Sequence, residues 1–197
     1  MPDKQNPLGA VSLLASWIAA SSIGWAAGLA VGTSLTLLAT RVSWLNQDRF
    51  FVYATLISIG STIGLAQWVV MRRYLPQPAG WVEATVIGYI LCVIIMASSG
   101  LARFGVPGVW DDLLLLALLG TAVGIPQWRM LRPYYRKAGL WVLAIAAGFL
   151  CLMWTIVNPS HSLSDLVMRG TVTGTLAAVV PGATLVFLVR ESLATVS

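Results

Sequence analysis

The chain has 197 residues, of which 58% are hydrophobic and only 10% charged, with a net charge of +5 and a mean hydropathy of +0.83. Charged residues make up about a quarter of an ordinary globular chain, so this composition excludes a soluble domain. The basic excess lies in short loops between apolar stretches, which reads as membrane orientation rather than nucleic-acid binding.

A bilayer crossing takes about 20 apolar residues, and six stretches fit, at roughly 9–38, 50–71, 80–102, 110–131, 138–158 and 166–189. The expected fold is therefore all-α, an integral-membrane six-helix bundle forming one domain over 1–197.

Lys4 precedes the first stretch, but the apolar run continues to about Ala39, too long for a cleaved signal. The run carries Trp17, Ala20 and Gly24 in a Trp-x-x-Ala-x-x-x-Gly pattern, and Gly24, Gly28 and Gly32 form a stripe on one helix face. The second stretch carries Gly60 and Gly64, then Gln67-Trp68, with Arg72, Arg73 and Tyr74 beyond its end. The third opens on Trp81-Val82-Glu83-Ala84 with Gly88. The fourth begins at Asp111-Asp112 and repeats the second, with Gly120, Gly124, Gln127-Trp128, Arg132 and Tyr134. The fifth repeats the third, with Trp141, Ala144 and Gly148. The offset is a constant 60 residues, from 67 to 127, from 72 to 132 and from 88 to 148. The repeat units cover about 49–108 and 109–168, and the first helix is a further copy of the Trp-bearing type. The sixth stretch carries Gly170 and Gly174. On that alignment Ala177-Ala178 stands in place of Gln-Trp, followed by a helix-kinking Pro181-Gly182.

Each candidate feature has a packing reading and a functional one. Glycines four apart let helix backbones approach closely in lipid. In the second, fourth and sixth helices (Gly60, Gly64, Gly120, Gly124, Gly170, Gly174) this reads as packing inside the bundle. In the first helix the three-glycine stripe equally suits a seam for a second copy or another membrane protein.

Gln67 and Gln127 are amides within the spans. They read either as interhelical hydrogen-bonding glue or, together with Glu83, Trp68 and Trp128, as the lining of a ligand cavity open toward the cytoplasmic leaflet. Glu83 is the acid lying within a span, where acids are expensive and mark functional candidates. Trp68 with Arg72, and Trp128 with Arg132, are four apart on one helix face and read as interfacial anchors. Arg72, Arg73, Arg132, Arg136 and Lys137 read as a lipid-headgroup anchor. Asp111-Asp112 suits a helix N-terminus; the acids that membrane prenyl transferases add at fixed spacing do not follow it. His161 is the one histidine, and Cys92 and Cys151 fall inside spans. No Cys-x-x-Cys, His-Glu-x-x-His, Gly-x-Ser-x-Gly or phosphate-loop pattern occurs, so the expectation is a protein without catalytic residues, metal or cofactor.

Eight basic residues (Lys4, Arg72, Arg73, Arg129, Arg132, Arg136, Lys137, Arg190) fall on one side and four (Arg41, Arg49, Arg103, Arg169) on the other. By the positive-inside rule both termini are cytoplasmic and the location is the inner membrane.

The repeated Gly-x-x-x-Gly-x-x-Gln-Trp with its arginine, followed by Trp-Val-x-Ala-x-x-x-Gly, resembles small uncharacterised bacterial multipass membrane proteins carrying the same repeat. That resemblance covers about 49–150 and implies membrane location without catalysis. In layout alone the chain is similar to the six-helix substrate-binding subunits of vitamin uptake transporters. Two functions follow as expectations. One is a non-enzymatic interaction or scaffold subunit; the other is a binding or transport protein for a small amphiphile.

Overall fold

The computed structural model describes residues 7–39, 47–75, 78, 80–99, 109–152 and 163–194. Six helices follow in order: α1 Pro7–Ala39, α2 Gln47–Met71, α3 Gly80–Ser99, α4 Val109–Leu131, α5 Leu140–Leu150 and α6 Leu163–Ala194. No strand occurs among the described residues. Five helices (α1, α2, α3, α4 and α6) are long and apolar enough to cross a membrane, so the chain is a multi-pass membrane protein. Lys4, Arg41, Arg103 and His161 lie outside the described residues.

The fifth stretch differs from expectation. Its described helix has 11 residues rather than a full span. Beyond Phe149 the ladder tightens: Cys151 N–H bonds to Gly148 O at 3.1 Å and Leu152 N–H to Phe149 O at 2.9 Å. These three-residue steps are typical of an α-helix winding down. Pro181 stands as far from the start of α6 as Gln127 does from the start of α4, and both reach the same layer of the bundle. The rest of the expected fifth span, 153–158, lies outside the described residues.

The main packing pairs are α1–α2, α2–α3, α3–α4, α4–α5, α5–α6 and α6–α1. The six described helices thus close into a ring. The duplication holds at the level of single bonds. Arg72 N–H bonds to Trp68 O (2.9 Å) as Arg132 N–H bonds to Trp128 O (2.8 Å). Leu75 N–H bonds to Met71 O (2.8 Å) as Tyr135 N–H bonds to Leu131 O (3.0 Å).

Glycine sets the helix spacing. A Cβ at Gly24 would fall 2.6 Å from Ile63 Cα and one at Gly32 2.6 Å from Thr55 Cα; Gly28 presses equally closely on the backbone of Ile59. The stripe of the first helix is therefore spent on α2. These three glycines therefore serve packing inside the bundle. Gly88 against Val123, Gly120 against Ala146 and Gly124 against Val142 repeat the arrangement around the ring. Without a hydrophobic drive between helices in lipid, such close contact is what holds them.

Candidate functional site

The ring axis is filled at one level by Trp17, Trp81 and Trp141, each 0% exposed. Each opens the same Trp-x-x-Ala-x-x-x-Gly pattern in its odd-numbered helix. The ring centroids lie 6.0, 5.4 and 5.8 Å apart, at interplanar angles of 81°, 81° and 70°. Such edge-to-face contacts contribute about 0.5–1.5 kcal/mol per pair beyond burial. The triangle lies toward the end of the bundle that carries the basic loops. Below it the core is closed by Leu13, Met71, Leu131 and Leu185, all buried. Above it follow Ser21, Thr85 and Ile145 one turn further on, then Trp25, Tyr89 and Phe149 a turn beyond.

Two of the three indoles are held by the repeated glutamines. Trp81 Nε1 donates to Gln67 Oε1 at 3.3 Å, and Gln67 Nε2 donates to Ser21 Oγ at 3.0 Å. Trp141 Nε1 donates to Gln127 Oε1 at 3.0 Å, and Gln127 Nε2 donates to Thr85 Oγ1 at 2.9 Å. Thr85 Oγ1 also donates to Trp81 O at 2.9 Å, which joins both bridges into one chain across α1–α5. Each glutamine thus ties a pair of odd-numbered helices together. The amides bond to indoles and hydroxyls, not to each other.

The third sector breaks the rule. Trp17 Nε1 is buried and has no hydrogen-bond partner. The contacts of α6 show why. Gly174 packs on Trp25 as Gly60 packs on Tyr89, each eight residues beyond its tryptophan, and Gly148 packs on Ala177 as Gly88 packs on Val123. This register equates Gly174-Thr175 with Gly120-Thr121 and puts Pro181-Gly182 where Gln127-Trp128 stands. The alignment through Gly170 and Gly174 is therefore one turn out, and Pro181, not Ala177, occupies the glutamine position. The hydroxyl position is lost as well, being Ile145 in α5. Pro181 has no N–H for the carbonyl of Ala177 one turn back. That carbonyl lies against Gly148.

Beside this unfilled sector lies a cavity of about 40 Å³. Its wall includes Trp17, Ile145, Gly148, Ala177 and Pro181, with Gln67 and Gln127 on the opposite side. Toward the far end it reaches Trp25, Phe149 and Leu152. The indole triangle lies on the side of the cavity toward the basic end.

Of the expected ligand-contacting residues, Gln67 and Gln127 line the cavity, while Glu83, Trp68 and Trp128 do not. Glu83 lies on the exposed outer face of α3, because Trp81, Ala84 and Thr85 take the inner one. Trp68 and Trp128 sit at the rim, where Arg72 and Arg132 stack over their rings at 5.5 and 5.6 Å. This is the anchor arrangement that the four-residue spacing implies. Arg73 and Arg136 are exposed on the same rim. Lys137 turns instead to α6, pairing with Glu191 at 2.9 Å and lying 5.3 Å from the centre of the Phe187 ring. In the same rim burial pushes the Tyr135 phenol up to about 12, with Tyr74 adding to the effect.

The sequence reading missed the hydroxyls at Ser21 and Thr85 and the central role of the three tryptophans. The signal was present: wherever the Gln-Trp pair occurs, the preceding odd-numbered helix has a hydroxyl four residues after its tryptophan. Among the described residues no group of three or more His, Cys, Asp or Glu side chains stands together. No protein family, curated protein or solved structure matches the chain.

Proposed function

We propose that this multi-pass protein acts by binding rather than by catalysis, holding a small amphiphile in the cavity on the ring axis. One observation carries the reading: the buried Trp17 indole N–H has no acceptor, while its two counterparts are each bonded to a glutamine. A buried donor without a partner costs about 1–3 kcal/mol, and a ligand that accepts from it recovers that cost on binding.

The scaffold reading rested on the glycine stripe of helix one, which α2 occupies. The asymmetry of basic residues supports insertion in the inner membrane with the basic rim, and both termini, on the cytoplasmic side.

Mass spectrometry of protein purified from its native membrane tests the proposal. The wild type is expected to retain an organic molecule that Pro181→Gln, which fills the sector with a carboxamide, does not. Equal retention by both proteins, or none by the wild type, refutes it.

A further inference from the structure

Resting on that reading, we infer that the cavity selects a neutral, hydroxyl-bearing amphiphile, with the hydroxyl bound between Trp17 Nε1 and the carbonyl of Ala177. The chemistry follows from the wall. An indole N–H only donates, so the ligand atom facing it is an acceptor. The carbonyl of Ala177, deprived of a proline N–H, accepts, so a donor on the same ligand atom is satisfied there. A hydroxyl provides both; an ether, ketone or ester provides only the first.

Among the described residues, none of those lining the cavity carries an acidic or basic side chain. A carboxylate or ammonium would enter without a counter-charge, which low-dielectric surroundings penalise heavily. A volume of about 40 Å³ holds roughly three groups the size of a water molecule. That suffices for a hydroxyl and its first carbons, while the chain continues past the apolar Trp25, Phe149 and Leu152. Each glutamine opposite already donates one N–H and accepts one bond within the bundle, whereas the Trp17 N–H has no partner.

The test uses the full chain in phosphatidylcholine nanodiscs with ¹⁵N-labelled tryptophan, observing the indole N–H resonances. The Trp17 signal is assigned by its loss in Trp17→Phe or, should that variant not fold, by its displacement in Pro181→Gln. Four probes of equal chain length are titrated: 1-octanol, n-octane, octanoate and octylammonium. Octanol is expected to move the Trp17 resonance with an affinity at least tenfold above the other three, and at least tenfold weaker in Pro181→Gln. Octane acting as well as octanol overturns hydroxyl recognition while the binding reading stands. Octanoate or octylammonium acting as well overturns neutrality in the same way. No response to any probe, as from a cavity holding only water, overturns both this inference and the binding reading.

Discussion

Replacing Gln127 with leucine separates structural bridging from ligand contact most sharply. The side chain is 1% exposed. It accepts from Trp141 Nε1 at 3.0 Å and donates to Thr85 Oγ1 at 2.9 Å. Leucine removes both bonds at nearly constant size. Losing the Thr85 contact costs about 0.6 kcal/mol, the average for such bonds in membrane bundles. Thr85 keeps its own bond to Trp81 O. The Trp141 N–H is left buried without an acceptor, at about 1–3 kcal/mol. The expected destabilisation is roughly 1.5–3.5 kcal/mol. Gln67→Leu costs less, because the Trp81 contact it loses is longer, at 3.3 Å. The two glutamines share no partner, although Thr85 joins their bridges into one chain, so the double variant should be less stable than either single one. Reversible unfolding in mixed micelles measures all three. Unchanged or increased stability of Gln127→Leu, or partial recovery in the double variant, refutes the bridging scheme.

Trp17→Phe removes an indole that bonds to nothing, whereas Trp141→Phe also leaves Gln127 Oε1 without a donor; Trp141→Phe should therefore be the more destabilising by about 1 kcal/mol in the same assay. Gly28→Ala drives a Cβ into the backbone of Ile59 and should cost about 1–3 kcal/mol or more. Gly139→Ala has open space and a helical backbone at φ −58°, so thermal unfolding should find it neutral or stabilised by about 0.4–1 kcal/mol. Reporter fusions should place Ser197 in the cytoplasm and the loop near Ser160 outside; the reverse at either position removes the proposed orientation.

What the sequence conveyed follows from how local each feature is. Apolar length and the 60-residue offset are local, and they led to helices and duplicated hairpins that the helix order and loop hydrogen bonds reproduce. The Trp-Arg anchors depend only on a spacing of four and stand as expected. The register of α6 is not local. Gly170 with Gly174, and Gly174 with Ala178, are both small pairs four apart, and only the contacts with Trp25 and Gly148 choose between them. The error hid Pro181 as the glutamine substitute, and with it the orphaned indole. Glu83 drew attention as an acid inside a span, yet its direction is decided by Trp81 and Thr85 occupying the inner face. Closure of α6 onto α1, including the 2.7 Å contact between Ser22 Oγ and Thr175 Oγ1, joins residues 153 positions apart, and no local pattern announces it.

The central claim is that the third sector of the ring is left open at Trp17 for a ligand. An experimental structure of the protein extracted with its native lipids tests it most directly. The account predicts a non-protein group within hydrogen-bonding distance of Trp17 Nε1, occupying the space beside Pro181 and Ile145 and continuing toward Leu152. A sector collapsed shut with the indole bonded to a protein group, or a cavity holding water alone, would contradict it.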